Sequence, residues 1–180
     1  MIGTRFGPIH AVVVPEAYEP FRGSPVGVGV ATNAQGLDRS FRSALVALRL
    51  CDPPCEPMVA ADVYGGLIEL LAETDDDAQR DYADTLDGVA QHSWALETVA
   101  ALVTTRTIRE AARVLNVHHS TLQARIDTIK TDLGFDPLQG FGRTRLGIAL
   151  LVHRLSRSKV LDMPTPADVG NQVGPAAVIG

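Results

Sequence analysis

The side chains with the most recognition chemistry crowd into one short run. His119, Ser120, Gln123 and Ala124 follow one another at helical spacing, so they fall on neighbouring positions of one helix surface. Gln can pair with N6 and N7 of adenine, Ser and His adapt to several base edges, and Ala can meet a thymine methyl. Around them stand Arg106, Arg109, Arg113, Thr121, Arg125, Lys130 and Arg143, with Arg145 nearby. These residue types bind phosphate, which positions a protein on a duplex and adds affinity without sequence information. Three residues have two readings each. Arg125 lies at the rim of the helix's inner face and can instead brace the fold against an acid or a helix end. His118 sits at the turn and can cap the helix as well as touch DNA. Asp127, one turn deeper, can accept from cytosine N4 or be a plain exposed charge.

Catalytic chemistry finds no comparable constellation. There is no paired acidic metal site, no Gly-rich phosphate loop ahead of a helix, and no nucleophile with a base. Asp75, Asp76 and Asp77 form a run of acids rather than a site. Adjacent residues diverge on a helix, so His118 and His119 make a poor metal pair, and His10, His92 and His153 have no ligand spacing. Cys51 and Cys55, in CDPPC, could hold a metal or a disulfide, but no second pair supports them and the prolines suit a loop. No enzyme activity, metal or cofactor is expected.

The recognition residues need a scaffold, and Thr107–Ile129, TIREAARVLNVHHSTLQARIDTI, supplies it. Thr107-x-x-Glu110 has the form of a capping box, with the Thr hydroxyl taking the Glu110 amide and the Glu carboxylate reaching back to the Thr107 amide. Ile108, Ala111, Ala112 and Leu115 then make one apolar face. Asn116 tolerates a left-handed backbone and can end this first helix. A second helix follows, with Leu122, Ile126, Ile129 and Leu133 inward and Gly134 as its stop. Ser120, Ala124, Asp127 and Thr131 then face outward, flanked near the helix start by His119 and Gln123. Two alanines at the crossing allow close approach. This is the layout of a helix-turn-helix whose second helix enters the major groove.

Charge agrees with that layout once it is divided along the chain. The net charge of the 180 residues is −5. Thr104 to Lys159 carries 10 basic and 4 acidic residues, whereas residues 1 to 103 carry 6 basic and 15 acidic. The motif therefore lies in a basic half, as a phosphate-binding module should; a solvated basic face without a partner has the same composition. The chain is 46% hydrophobic, so most of it should fold. The start, MIGTRFGPIH, lacks the apolar stretch of a signal peptide, and no apolar run is long enough to span a bilayer. A cytoplasmic, nucleoid-associated protein without membrane contact is the expectation.

The front of the chain reads as a small α/β region. Ile9–Val14 and Val26–Ala31 are Val-rich strands, and Gly alternating with Val in the second leaves one face bare for close packing. Leu37–Leu50 reads as a helix with Phe41, Ala44, Leu45 and Leu48 inward. Asp52–Pro57 breaks the chain, Met58–Tyr64 reads as a third strand, and Gly66–Ala72 as a short helix. Two or three strands would make a weak sheet with exposed edges. Thr74–Asp87 reads as an acidic, solvated connector. Ser93–Val103 reads as a helix capped by Ser93, with Trp94 in the core, and Arg143–Ser156 as a closing helix. From Met163 the Pro, Gly and Ala composition suggests disorder.

The segments ETVAALV, REAARVLNVHHSTLQARIDTI, DLGFDP and RTRLGIALLVHRL resemble the C-terminal DNA-binding domain of PucR-type transcription regulators, which include the CdaR-like sugar-diacid regulators. Ala111, Ala112, Leu115, Val117, His118, Thr121, Leu122, Arg125 and Ile126, then Leu146, Ala149 and Leu150, carry the likeness over roughly residues 94 to 157. More loosely, VGVGVATNAQGLDRSFRSALVALRL resembles the end of the degenerate GGDEF-like domain that precedes it in such regulators. No GGDEF signature occurs, so the resemblance brings no cyclase activity, and Ser120 stands where the family commonly has Asn. The resemblance implies an α+β chain. Residues 1–73 would be a partial GGDEF-like region, 74–92 an acidic helical connector, 93–159 the helix-turn-helix domain, and 160–180 a disordered tail. It implies double-stranded DNA as partner; the small surface that one motif buries on DNA points to a homodimer, and the front half could take a small-molecule effector of unknown kind. The competing reading is a protein-interaction module that uses the helical bundle for assembly and leaves its basic face idle.

Overall fold

The computed structural model describes residues 2–14, 25–74, 82, 84–162 and 176–179. The chain divides into two compact units, one of residues 1–74 with 157–180, the other of residues 75–156. Helices and a small sheet make the chain mixed in class, with the helices of the second unit holding the helix-turn-helix region.

The first unit is built on a five-stranded sheet in the order β1-β2-β5-β3-β4. Its strands are β1 (Ile2–Phe6), β2 (Ile9–Val13), β3 (Val26–Val28), β4 (Met58–Ala60) and β5 (Ala176–Ile179). β1 and β2 form an antiparallel hairpin that turns at Gly7, whose φ of 56° suits glycine. The other pairings are parallel: β5 joins β2 on one side and β3 on the other, and β3 pairs with β4.

One helix organises this sheet. The helix α1 spans Leu37–Leu50, as its apolar spacing predicts, and packs on β3, β4 and β5. A Cβ on Gly27 would strike the Ala44 carbonyl and the Leu48 amide; one on Gly29 would strike Ser40. The bare face of the Val-Gly strand is thus filled by helix backbone. The buried stripe of α1 accordingly runs through Ser40, Ser43, Ala44, Ala47 and Leu48, with Val46 and Leu50 also buried. Phe41 and Leu45, expected inward, are only half-buried. Bulky side chains would hold the helix off the glycines, so small residues take the contact. The Ser43 hydroxyl accepts from the Val30 amide at 3.0 Å, tying α1 to the segment after β3. A short helix α2 (Leu67–Glu73) packs against α1 through Ile68 and Leu71. Cys51 is buried, its thiol facing the Val26 carbonyl at 3.4 Å, and Cys55 is exposed; the two form no disulfide.

Three expectations for this unit change. The sheet has five strands rather than two or three, because β1 and the late strand β5 join it. The expected tail supplies β5 through Ala176–Ile179, while residues 163–175 lie outside the described residues. Composition reads Pro-, Gly- and Ala-rich sequence as unstructured, but four apolar residues suffice for a strand paired on both sides. The expected third strand is shorter, since Ala61–Tyr64 turns into a 3-10 helix.

The second unit is helical. Its helices are α3 (Ala95–Thr104), α4 (Ile108–Val114), α5 (His119–Leu133) and α6 (Gly142–Arg157). Their core joins Val99 and Leu102, Ala111 and Ala112, Leu122, Ile126 and Ile129, and Leu146, Ala149 and Leu150. Leu86 and Val89 are fully buried in the same core. The end of the acidic connector is therefore part of this unit, with Leu86 and Val89 inward, Asp84 exposed, and Asp87 half-buried 3.6 Å from the buried His153. Residues 75–81, where the Asp run sits, lie outside the described residues. The N-cap position of α3 is Trp94 rather than Ser93, and no side chain caps it. Instead the Thr98 hydroxyl donates to the Trp94 carbonyl at 2.7 Å.

Candidate nucleic-acid interface

The first helix of the motif, α4, is closed at both ends by its own sequence. The Thr107 hydroxyl accepts from the Glu110 amide at 3.1 Å, half of the expected capping box. The Glu110 carboxylate takes the amide of Arg106 at 3.1 Å rather than that of Thr107, so the reciprocal bond lands one residue earlier. At the other end Asn116 is left-handed, with φ 52°. The Val117 amide donates to the Ala112 carbonyl at 3.0 Å and the Asn116 amide to that of Arg113 at 3.1 Å. These two bonds are those of a Schellman motif, which turns the chain sharply and satisfies two terminal carbonyls. Ala111 and Ala112 are buried where α4 meets α5, so the two helices approach over methyl groups.

The second helix, α5, starts from His118. Its Nδ1 accepts from the Ser120 amide at 3.3 Å and lies 2.8 Å from the Ser120 hydroxyl. Of its two readings, the capping one describes this geometry. The helix ends at Gly134, left-handed at φ 69°, whose amide reaches the carbonyls of Lys130 and Thr131. Leu122, Ile126 and Ile129 are buried and Leu133 half-buried, matching the expected inner face. His119, Ser120, Thr121, Ala124, Asp127 and Thr131 are exposed, and Gln123 is half-buried with its amide donating to Asp127 at 3.2 Å.

The expected phosphate ligands divide into two groups. Arg106, Arg109 and Arg113 are exposed. Arg109, Ala112, Arg113, Val117, His118 and His119 line an open cleft of about 420 Å³ between α4 and the start of α5. The other cations already have partners. Arg125 donates to the Thr98 hydroxyl at 3.3 Å and lies 5.1 Å from the Trp94 ring centroid. The bracing alternative for Arg125 fits this geometry. Arg143 donates to the Thr105 carbonyl at 3.3 Å, and Arg145 stacks on Phe135 at 3.8 Å. Lys130 pairs with Asp136 at 2.7 Å. The hydrogen bond to Lys130, then the Leu138 amide, hold the Asp136 carboxyl below its ordinary value, and the same pair raises the Lys130 ammonium. A phosphate at Lys130 would have to compete with Asp136.

Sequence reasoning missed one cluster. The ring of His92 stacks on Trp94 with centroids 5.0 Å apart, and its Nε2 lies 3.2 Å from the Asp132 carboxylate on α5. Trp94 is half-buried: it packs against the core of the unit, as expected, and its ring also meets His92 and Arg125. The residues involved lie far apart in sequence, and only the i,i+4 spacing of Trp94 and Thr98 hints at the arrangement.

Among the described residues, no helix is long and apolar enough to cross a membrane, and no group of three or more His, Cys, Asp or Glu could hold a metal ion.

Comparison with known proteins gives one finding. Residues 95–152 match the family model of the PucR C-terminal helix-turn-helix domain, a span that begins with α3 and runs into α6. No curated protein and no solved structure matches the chain.

Proposed function

We propose that this chain is a sequence-specific DNA-binding transcription regulator of the PucR type, reading the major groove with α5. The observation that carries the reading is the family match over residues 95–152, laid on a helix-turn-helix whose second helix begins exposed beside a basic cleft. His119, Ser120, Gln123 and Ala124 take the base edges. Arg106, Arg109, Arg113 and Thr121 take phosphates, and the cleft between α4 and α5 gives one phosphate a seat near the positive end of the α5 dipole. Arg125 and Arg143 brace the unit, and Lys130 reaches phosphate only by leaving Asp136.

A single motif buries little surface on DNA, so a homodimer with two motifs about one helical turn apart, roughly 34 Å, completes the reading. The first unit, whose β3–α1 segment carries the loose GGDEF-like resemblance, is the part available for an effector. Transcription control without catalysis is the activity proposed.

The test is duplex binding by fluorescence anisotropy across a salt series. A regulator of this kind binds with a logarithmic affinity that falls linearly with the logarithm of salt. Binding that is absent at low salt, or indifferent to salt, contradicts the proposal and returns the bundle to an assembly role.

A further inference from the structure

We infer that the outward face of α5 is an acceptor surface, and that it selects bases presenting an amino group, adenine N6 and cytosine N4, over bases presenting a keto oxygen. The inference rests on the DNA-reading role proposed above and specifies what that role recognises.

The polarity of each side chain follows from what it already touches. The Ser120 amide can only donate, and it points at Nδ1 of His118 at 3.3 Å. Nδ1 of His118 is thus the acceptor of the helix cap. The Ser120 hydroxyl sits 2.8 Å from the same Nδ1, so its hydrogen points there too. Only the hydroxyl lone pairs remain to face outward. At Gln123 the partner is the Asp127 carboxylate, which accepts and cannot donate. The amide nitrogen must face it, at 3.2 Å, which leaves the Gln123 carbonyl oxygen and one N–H for a ligand. Asp127 itself adds a carboxylate to the face. One turn on, the Thr131 hydroxyl donates to the Asp127 carbonyl at 3.0 Å, and its hydrogen is likewise spent inward.

The exposed stripe Ser120, Ala124, Asp127 and Thr131, flanked by His119 and half-buried Gln123, thus offers oxygen lone pairs and one amide hydrogen at Ser120, Gln123, Asp127 and Thr131, and a methyl group at Ala124. In the major groove adenine and cytosine answer with N–H donors, whereas guanine O6 and thymine O4 bring a second acceptor. The Asp127 charge makes that mismatch repulsive, so keto bases are disfavoured opposite Ser120, Gln123 and Asp127, while the Ala124 methyl leaves thymine open at the base it faces. The remaining Gln123 N–H suits adenine N7, placing adenine opposite Gln123 and leaving cytosine or adenine for Ser120 and Asp127. His118 is a positioning residue here, since it sets the direction of the Ser120 hydroxyl.

The experiment uses the full chain and a duplex selected from a random pool. At each selected position facing Ser120, Gln123 or Asp127, a transition exchanges amino for keto in place: adenine becomes guanine, cytosine becomes thymine. Each exchange should weaken binding about tenfold. Asp127→Asn, which supplies an amide hydrogen, should bring the amino-to-keto ratio at its base pair towards one, while Ser120→Ala should do so at another. His118→Ala should lower the ratio at the Ser120 position and not elsewhere, whereas loss of a mere helix cap would weaken all sites alike. Unchanged helical circular dichroism shows that the exposed substitutions leave the fold intact. Transitions that leave affinity unchanged, or ratios unmoved by Asp127→Asn and Ser120→Ala, overturn the inference while leaving DNA binding standing. Failure to bind any duplex overturns the proposed function, and this inference with it.

Discussion

Gln123 shows how a single residue is constrained by its neighbours. Its amide is held by Asp127, so it meets DNA already oriented rather than as a free rotor. Gln123→Ala should cost about 1–3 kcal/mol on the selected site and relax preference at one base pair. Equal loss on selected and random duplexes, measured by competition, would remove it from the base-reading set. Arg113→Ala should weaken all duplexes alike and flatten the salt slope by about one; an unchanged slope would place its guanidinium away from phosphate. The Lys130–Asp136 pair gives a prediction on stability. The Asp136 pKa is lowered in the fold from 3.8, so the pair's contribution is present above that pH and is lost as pH falls through the lower folded value. Asp136→Asn should therefore lower the melting temperature near neutrality and converge with the parent in acid. Parallel melting curves from neutral to acid pH would deny the pair any role. Residue types and spacing pointed to the exposed set on α5 and to both readings of Arg125 and His118. The partners these side chains have, Trp94 and Thr98 for Arg125 and Ser120 for His118, depend on side-chain geometry that spacing does not contain.

Elements were more legible than residue roles, and the reasons are local. The α1 boundaries follow from apolar spacing, and Asn116 and Gly134 mark helix ends because few residues adopt left-handed backbone without strain. The alternation of Gly and Val in β3 announced a close contact, which α1 fills. Of the α1 residues expected inward, Ala44 and Leu48 meet Gly27, whereas Phe41 and Leu45 stay half-buried, because the close approach of two backbones leaves no room for bulk. Ala111→Leu tests the corresponding contact in the helix-turn-helix. The side chain is fully buried, so the added carbons should destabilise the second unit by about 1–3 kcal/mol. A urea midpoint unchanged from the parent would mean that the α4–α5 crossing has spare room.

At the scale of the whole molecule, sequence order and spatial order part company. The strand Ala176–Ile179 lies between β2 and β3, though some 148 residues of sequence separate it from the latter. No window of local sequence could reveal that pairing, since parallel neighbours are joined only through the tertiary fold. β1 is a different case: it pairs locally with β2, but Ile2–Phe6 has neither a Val-rich run nor a clear alternation to mark it as a strand. Deleting residues 176–179 should leave β1–β2 and β3–β4 as separate pairs. The first unit should then lose its cooperative unfolding transition, while an unaltered denaturation profile would show that the sheet does not need its middle strand.

The central claim is that the exposed start of α5 reads base sequence. Selection of duplexes from a random pool by the full chain, followed by sequencing, tests it most directly. The account predicts enrichment of a defined motif that is lost when His119, Ser120 and Gln123 are replaced together by alanine. A pool that stays random, or a motif that survives that triple replacement unchanged, would contradict it.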